Sequence, residues 1–481
     1  MGRITKSDWT HGRLFAEHRR AIRKKTSATA EQMTSKETTV ITRRMLKSAA
    51  LALAALAAPL AQAGTVSVVT SFPKELTQAY KTAFEKLHPD IRLEILNKST
   101  TSGVAYVREL GPGHRPDVFW ASAPDAFEVL AKAKLLERVA DLRNPAVPAE
   151  IAGAPINDPD GLYLGQALGG YGLMWNTRYL AAKKLPVPLE WSDLTKPVYF
   201  SHVALSSPSR SGTTHLTIEA ILQGEGWDKG WTQVLQIAGN AAAITERSFG
   251  VPDGVNNGQF GIGLVIDFFG LSGKFSGFPV EFAYPSVTAV VPASIALITG
   301  GKNPAEARRF ISFALSREGQ ELLTLPQLSR LPVLPPDRMK MPAGYPNAFE
   351  VARRAKVKFD PELSAARYFL VTALFDQTIT FRHKELQAAT RAIQTAEAAL
   401  AAKPNAEAAS RVRRARDLVF TPLVSEAMSR DARFLALFTS DKKDADANKQ
   451  VTGVEGAWNA KALDNYRLAR QLAEEAAALV K

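Results

Sequence analysis

A loop in the middle of the chain combines hydroxyl groups, one guanidinium group and backbone amides. It reads Ser206-Ser207-Pro208-Ser209-Arg210-Ser211-Gly212-Thr213-Thr214-His215 and leads into a helix-like pattern. The first N–H groups of a helix lack intrahelical partners and carry a partial positive charge, so an anion is stabilised there. The loop therefore predicts an anion site in which Arg210 is the charge partner and Ser211, Thr213 and Thr214 are orienting donors. Ordinary N-capping, with Arg210 in solvent, is the competing interpretation.

Similar chemistry recurs in the first part of the chain. Ser71 follows a β-branched run, Ser102 lies in the hydroxyl-rich turn Ser99–Gly103, and Ser122 follows Trp120 at the end of a third strand-like run. In a parallel sheet the loops after the strands gather at one edge, so we expect these turns to share a cleft. Simple capping, and Trp120 in the core, are the alternatives that the residues leave open.

Catalytic and metal-binding patterns are missing from the sequence. It contains no G-x-S-x-G elbow, H-E-x-x-H helix, Walker loop or G-x-G-x-x-G turn, and no cysteine. Its seven histidines are scattered. We therefore predict a protein that is not an enzyme and that has no cofactor and no metal site. A secreted hydrolase, which needs a nucleophile and a base within hydrogen-bond reach, is the weaker alternative.

Strand-like and helix-like patterns alternate along residues 64–323, which predicts an α/β fold with parallel strands and helices on both faces. From residue 361 onward alanine, charge and helical spacing dominate, which predicts a helical extension. The predicted strands are 65–69, 91–96, 117–121, 198–205, 262–266 and 287–297, the predicted helices are 74–87, 104–110, 124–133, 213–223 and 304–323, and residues 250–254 are predicted as a turn.

The first 63 residues have the parts of an export signal. Arg43, Arg44 and Lys47 precede an alanine- and leucine-rich run, and Ala61-Gln62-Ala63 is an A-x-A cleavage site. We predict a signal peptide with a long n-region over residues 1–63, cleaved after Ala63, and a periplasmic mature protein. The choice between general and twin-arginine export, and the true start codon, stay open. A buried alanine-rich helix is the alternative structure.

Charge and hydropathy exclude other classes of partner. Of the formal net charge of +13, residues 1–63 carry +8, and the remaining +5 is spread over the rest of the chain without an arginine-rich stripe. This distribution disfavours nucleic-acid binding. The single apolar run, near the start, is shorter than the roughly 20 residues of a membrane span, so we predict no stable membrane insertion.

The order of several short motifs resembles that of an ABC-transporter extracellular (periplasmic) solute-binding protein. The similar group is the ferric-iron and phosphonate type, which also includes carriers of phosphoglycerate and related anions, and the resemblance spans about residues 64–340. The motifs are Val68-Val69-Thr70-Ser71-Phe72, Asp117-Val118-Phe119-Trp120-Ala121-Ser122, Gly170-Tyr171-Gly172-Leu173-Met174-Trp175-Asn176, Ser209-Arg210-Ser211-Gly212-Thr213-Thr214 and Tyr284-Pro285.

The resemblance implies a two-lobed type II periplasmic binding fold whose lobes close on the ligand. Lobe 1 would comprise residues 64–168 and 285–340 and lobe 2 residues 169–284, with chain crossings near Gly169 and Tyr284. Residues 341–481 would form a helical extension packed on the lobes. We expect a monomer that delivers its solute to an inner-membrane ABC permease. A ligand sensor for a membrane histidine kinase is an alternative with the same cleft.

One departure from the group bears on the ligand. Iron carriers of this type place two adjacent tyrosines after a second-lobe strand, whereas this chain has Asp267-Phe268-Phe269-Gly270 there. Phenyl rings cannot coordinate ferric iron, which prefers oxygen donors. We therefore expect a small organic anion, such as a phosphonate, phosphate ester or carboxylate, with ferric iron as the alternative. Asp267 is either a turn residue or a hydrogen-bond acceptor for the ligand. The predicted ligand contacts are Ser71, Ser102, Ser122, Arg210, Ser211, Thr213, Thr214 and Tyr284.

Overall fold

The computed structural model describes residues 64–151, 153–439 and 445–480. The predicted signal peptide and its cleavage after Ala63 lie outside the described residues. Within the described ranges, no helix is both long enough and apolar enough to cross a membrane.

Eleven strands of the described residues form one continuous mixed sheet, and two short strands pair separately. The main path through the sheet has the order β2-β1-β3-β12-β7-β10-β8-β9. The strands are β1 Gly64–Thr70, β2 Ile91–Asn97, β3 Val118–Ala121, β4 Leu136–Glu137, β5 Glu150–Ile151, β6 Ala154–Pro155, β7 Leu164–Asn176, β8 Val203–Ser206, β9 Ala241–Thr245, β10 Ile262–Ile266, β11 Val280–Ala283, β12 Val290–Ile298 and β13 Leu331–Pro332.

The long strand β7 divides this sheet into two halves. Its first part, up to Gly170, pairs with β12, and β12 also pairs with β3 of the parallel group β1, β2 and β3. From Tyr171 onward β7 pairs with β10, which is parallel to β8, and β8 is parallel to β9. The chain returns from the second half between β11 and β12. We call the half with β1, β2, β3 and β12 lobe 1, and the half with β8, β9 and β10 lobe 2.

Helices accompany both half-sheets and dominate the region after residue 348. They are α1 Lys74–Leu87, α2 Thr100–Glu109, α3 Pro124–Lys132, α4 Thr177–Lys183, α5 Gly212–Glu225, α6 Trp227–Asn240, α7 Gly250–Asn256, α8 Asp267–Phe275, α9 Pro304–Leu315, α10 Arg317–Leu323, α11 Ala348–Arg354, α12 Pro361–Ala366, α13 Tyr368–Thr378, α14 His383–Ala402, α15 Ala406–Phe420, α16 Glu426–Arg430, α17 Ala432–Thr439 and α18 Ala445–Ala478.

Several predicted boundaries are wrong for local reasons. Helix α2 begins at Thr100 rather than near residue 104, because the Ser99 hydroxyl accepts a hydrogen bond from the amide of Ser102 and caps the helix. The predicted turn at 250–254 is helix α7, since Pro252 lies in its first turn, where no intrahelical hydrogen bond is lost. The predicted helix 304–323 is two helices, because the Ser316 hydroxyl accepts from the amide of Gly319 and starts α10.

The strand predicted over 198–205 is also shorter than expected. Residues Pro197–Tyr199 form a 3-10 turn, and only Val203–Ser206 pair in the sheet. The fixed φ angle of Pro197 favours a turn over a strand at this point. The loop with Arg210 therefore follows directly after β8 and leads into α5, as the sequence predicts.

The helical extension packs on lobe 2 through buried polar contacts. The Arg367 guanidinium of the extension forms two hydrogen bonds of 2.8 and 2.7 Å with the carboxylate of Glu219 in α5, and both side chains are buried. The indole N–H of Trp227 donates to the Val424 carbonyl at 2.7 Å. These contacts attach the extension to α5, the helix that begins at the Arg210 loop, and to the neighbouring α6.

Candidate functional site

Helix N-termini from the two lobes meet at one point. The Thr100 hydroxyl, at the start of α2 in lobe 1, donates to the Ser71 hydroxyl oxygen at 3.1 Å. The backbone N–H of Gly212, at the start of α5 in lobe 2, donates to Thr100 Oγ1 at 3.2 Å. Neither α2 nor α5 has an acidic residue in its first turn. No acidic side chain of their own first turns therefore neutralises the positive ends of these helices.

This junction forms a narrow pocket rich in hydroxyl groups, which we call the hydroxyl pocket. Its lining comes from both lobes, and it contains two arginines and no acidic residue. The lining residues are Ser71, Phe72, Pro73, Thr100, Ser122, Arg210, Ser211, Gly212, Thr213, Arg247, Ser248, Phe249, Phe268 and Phe269.

Five of the eight predicted ligand contacts line this pocket. They are Ser71, Ser122, Arg210, Ser211 and Thr213.

Three predicted contacts lie elsewhere. Ser102 is exposed, and its backbone N–H donates to the Ser99 hydroxyl. Thr214 is buried, and its amide donates to the Ser211 hydroxyl at 3.1 Å in the N-cap of α5. Tyr284 lies at the chain crossing instead. The structure thus brings together residues that follow β1, β3 and β8 and leaves Ser102, Thr214 and Tyr284 outside the pocket.

The two arginines of the pocket, Arg210 and Arg247, differ in the contacts that they make within the protein. Arg210 is about half exposed, and its Nη1 lies 2.7 Å from Oε1 of the exposed Glu246. Arg247, which the sequence did not single out, donates across the lobes to Asn97 Oδ1 at 3.2 Å. Burial lowers the pKa of Arg247, and the adjacent Glu246 carboxylate opposes that shift. The hydroxyl pocket therefore has two cations, one of them shared with a surface carboxylate.

A larger opening adjoins the hydroxyl pocket and shares several of its residues, among them Phe249, Phe268 and Phe269. We call it the cleft, and its volume is about 720 Å³. Lys74, Glu75 and Lys81 line it from lobe 1 and Asp253 from lobe 2. Its size is sufficient for a small organic solute.

Asp267 and Tyr284 act together at the chain crossing. Asp267 is fully buried, and its carboxylate accepts hydrogen bonds from the amides of Gly170 and Phe268, both at 2.7 Å, and from the Tyr284 hydroxyl at 2.9 Å. Burial raises the pKa of Asp267 to about 6, and the three hydrogen bonds oppose that shift. Because these bonds join β7 to the start of α8, Asp267 and Tyr284 stabilise the junction of the lobes.

Sequence reasoning missed Thr100, Arg247 and Arg330. Thr100 was detectable, because it follows Ser99 at a helix start and belongs to the hydroxyl-rich turn. Arg330 precedes a two-residue strand in a proline-rich stretch without any motif. Only long-range packing places its side chain between Phe72 and Phe268, in the cleft.

Comparison with known proteins identifies the family. Residues 114–358 match the family model described as bacterial extracellular solute-binding protein. The phosphoglycerate transport regulatory protein PgtC of Salmonella typhimurium is 32% identical over 390 residues, which cover 80% of this chain and 90% of PgtC. The chain belongs to the bacterial extracellular solute-binding protein family.

Solved structures agree with the fold of this solute-binding protein. The periplasmic binding protein AfuA from Actinobacillus pleuropneumoniae, solved with fructose-6-phosphate, matches with a TM-score of 0.60 and 19% identity, covering 66% of this chain and 99% of AfuA. Iron-bound HitA from Pseudomonas aeruginosa matches with a TM-score of 0.53 and 18% identity, covering 64% of this chain and 98% of HitA. The predicted two-lobed periplasmic binding fold with a helical extension is confirmed.

The arrangement suits binding of an oxyanion. Backbone amides at two helix starts, several hydroxyl groups and two guanidinium groups surround one pocket, and each is a hydrogen-bond donor. Within the described residues, no cluster of three or more histidine, aspartate or glutamate side chains could hold a metal ion. The rings of Phe268 and Phe269 line the pocket, and phenyl rings supply no oxygen ligand to a metal ion.

Proposed function

We propose that this protein is the solute-binding component of an ABC importer and captures a small phosphorylated organic anion between its lobes. The observation that carries this proposal is the convergence of the starts of α2 and α5 with Arg210 and Arg247 in a pocket without acidic side chains. Helix N-termini bind anions such as carboxylates and phosphates, so this pocket suits ligands of that kind. Export to the periplasm by the leader, with cleavage after Ala63, is part of the proposal.

The relatives support the phosphorylated class. PgtC is named for phosphoglycerate transport, and AfuA was solved with fructose-6-phosphate. Phosphoglycerate and fructose-6-phosphate are both phosphate esters, and they differ in the rest of the molecule. We therefore propose a phosphate ester as the ligand, with phosphonates as close analogues. Ferric iron is a weaker candidate, because Phe268 and Phe269 take the place of the two tyrosines.

The test is a ligand panel measured by thermal shift and then by calorimetry on the mature chain. Phosphate esters, phosphonates, carboxylates, polyamines and ferric salts are compared, since a ligand that binds only the folded protein raises its melting temperature. We expect phosphate esters to give the largest increase. A response to ferric salts alone, or to polyamines alone, would contradict the proposal.

Two substitutions test the role of the pocket directly. Arg210→Ala is expected to weaken phosphate-ester binding by roughly tenfold, about 1.4 kcal/mol. Glu246→Gln is expected to strengthen it, because it removes the carboxylate that shares the Arg210 charge. Arg178→Ala, an exposed arginine on α4 of the same lobe, is the matched control and should leave affinity unchanged. An unchanged affinity of the Arg210 variant would exclude Arg210 from the site.

A second function, regulation of transport, is favoured by the similarity to PgtC. PgtC is named a transport regulatory protein, and its similarity covers 80% of this chain, compared with 66% for the AfuA structure. In this candidate function the liganded protein reports to a membrane partner such as a histidine kinase.

Contacts between the extension and both lobes support the regulatory candidate. Ser364 in α12 donates to Asp125 Oδ2 of lobe 1 at 2.9 Å, and the Tyr368 hydroxyl in α13 lies 2.9 Å from the Thr101 hydroxyl. One residue earlier, Arg367 pairs with Glu219 of lobe 2. A movement of one lobe relative to the other therefore changes the contacts of α12 and α13, which gives the extension a means to report ligand binding.

Deletion of the partner genes separates the two functions. If the protein serves uptake, deleting a neighbouring permease gene abolishes ligand-dependent growth while transporter expression stays unchanged. If it serves regulation, deleting a neighbouring kinase gene abolishes ligand-induced expression of the transporter, and direct expression of that transporter restores growth without this protein.

A further inference from the structure

A histidine and an aspartate from different lobes form a buried pair close in sequence to residues of the hydroxyl pocket. Asp125 lies in the first turn of α3, three residues after Ser122, and His215 is the fourth residue of α5, two residues after Thr213. Ser122 and Thr213 line the pocket. Nδ1 of His215 lies 2.6 Å from Oδ2 of Asp125, and both side chains are fully buried. The pair therefore joins the starts of two helices, one from each lobe, that follow pocket residues.

The separation of the two atoms fixes where the imidazole carries its hydrogen. A bare ring nitrogen and a carboxylate oxygen would present lone pairs to each other at this distance, so Nδ1 carries a hydrogen and faces the carboxylate. Nε2 of His215 has no hydrogen-bond partner within the described part of the chain. Oδ1 of Asp125 accepts from the amide of Ala126 at 2.9 Å. The imidazole therefore depends on Asp125 for its polar contact.

The helical extension contacts both members of this pair. The Ser364 hydroxyl in α12 donates to Asp125 Oδ2 at 2.9 Å, the same oxygen that faces His215. The ring of Tyr368 in α13 packs against the His215 ring, with centroids 4.4 Å apart. Ser364 and Tyr368 are also fully buried. Lobe 1, lobe 2 and the extension therefore meet at the Asp125–His215 pair.

This junction is sensitive to the separation of the lobes. Removing one partner of a buried charged contact is strongly unfavourable, because the other partner keeps its burial cost without compensation. When lobe 2 moves away from lobe 1, His215 leaves Asp125, and α12 and α13 cannot keep their contacts with both residues. The docking of α12 and α13 is therefore strongest when the two lobes are held together.

We propose that the Asp125–His215 pair couples ligand binding in the hydroxyl pocket to the docking of α12 and α13. A ligand that bridges the starts of α2 and α5 holds the lobes together and thereby keeps His215 on Asp125, which fixes the positions of Ser364 and Tyr368. This inference rests on the proposed function and specifies how binding at that site is regulated. Because coupling between two sites is reciprocal, docking of the two helices strengthens ligand binding by the same factor.

Hydrogen exchange and calorimetry on the mature chain measure this coupling. The probe is the phosphate ester that binds the unmodified protein most tightly. We expect this ligand to slow amide exchange in α12 and α13, which do not line the hydroxyl pocket, by about tenfold, a typical coupling factor. His215→Leu removes the ring N–H that faces Asp125. It should abolish most of this protection and weaken ligand binding by about tenfold.

A rescue variant and a control separate the coupling role from general packing. His215→Asn keeps an amide N–H near the position of Nδ1, so we expect it to retain most of the protection and an affinity within about threefold of the unmodified value. His114→Leu changes an exposed histidine of lobe 1 and should alter neither quantity.

A second variant decides the matter if His215→Leu fails to fold. Ser364→Ala removes only the hydroxyl of the extension and leaves the contact between the lobes in place. We expect ligand affinity within about threefold of the unmodified value, with at least about half of the ligand-dependent protection of α12 lost. Thr395→Ala, which changes an exposed hydroxyl on α14, is its control and should keep the full protection.

The possible outcomes distinguish this inference from the proposed function. If a phosphate ester binds without slowing exchange in α12 and α13, the inference is overturned and the phosphate-ester function stands. The inference is also overturned if His215→Leu keeps either the affinity or the protection of the unmodified protein, even with a lower melting temperature, because the pair would then have a structural role alone. Full protection in Ser364→Ala, where the first variant does not fold, overturns it as well. If no phosphate ester binds at all, the proposed function fails, and the inference fails with it.

Discussion

The contact between the lobes at Gly212 leads to a direct prediction about closure. A Cβ atom added at Gly212 would lie 2.7 Å from Thr100 Oγ1 and 2.8 Å from the Cβ atom of Ala123. Both neighbours belong to lobe 1, whereas Gly212 begins α5 in lobe 2. Neither is the end of a long flexible side chain, so the overlap is relieved only if the lobes move apart. Gly212→Ala is therefore expected to disfavour the closed arrangement.

The size of the effect follows from the degree of overlap. Inserting one methyl group into a well-packed contact costs about 1–3 kcal/mol. If this cost falls on the closed, liganded state alone, ligand affinity drops by about 5-fold to about 150-fold. The higher helix propensity of alanine acts on open and closed states alike and cancels in the affinity. Calorimetry with the phosphate ester that binds the unmodified protein most tightly measures the change, and small-angle scattering should show a larger radius of gyration for the variant with ligand present.

A matched glycine provides the control for this experiment. At Gly111, which lies in lobe 1, no atom beyond its chain neighbours lies within 4 Å of the position that an added methyl group would take, so the Gly111→Ala variant should bind ligand as the unmodified protein does. An affinity of Gly212→Ala within twofold of the unmodified value would refute the argument, because the lobes would then not approach at this residue when ligand binds.

Three further predictions concern the buried charges. Arg367→Met leaves the buried Glu219 carboxylate unpaired and should lower the free energy of unfolding by about 3–5 kcal/mol. Adding Glu219→Leu should restore most of that lost free energy, as measured by urea titration. A double variant as unstable as the single variant would contradict this prediction. Tyr284→Phe removes a hydrogen bond to a buried carboxylate and should cost about 1.5–3 kcal/mol with unchanged ligand affinity; weaker binding would instead support the ligand contact predicted from the sequence. Burial raises the pKa of Asp267 from 3.8 to about 6, so the folded state holds this proton more tightly than the unfolded state, and the contribution of Asp267 to the free energy of unfolding should fall as the pH rises from about 4 to about 6. Urea titrations at several pH values between about 4 and about 6 measure this pH dependence of the free energy of unfolding, and Asp267→Asn should remove the part that Asp267 contributes. An unchanged pH dependence in the variant would show that Asp267 titrates normally.

The sequence by itself determined many local elements and the character of the site. The helix Lys74–Leu87 and the strand Ile262–Ile266 agree with the predicted boundaries, because their apolar spacing and their flanking residues are local signals. The hydroxyl-rich loop with Arg210 is likewise visible in the sequence, since a helix start with capping residues is encoded within a few positions. At Ser316 helical periodicity missed a capping residue, and at Pro252 glycine and proline indicated a turn where the structure has a short helix.

Only the tertiary structure decided which polar groups meet. Arg247 reaches Asn97, which is 150 residues away in the chain, and Arg330 lies between Phe72 and Phe268, which belong to different lobes. No local pattern encodes such pairs, because they depend on how two half-sheets joined by β7 are placed against each other. For the same reason Tyr284 resembled a ligand contact in the sequence, whereas in the fold its hydroxyl bonds Asp267. Local sequence specifies donors and acceptors, and the packing of distant segments specifies which of them pair with each other.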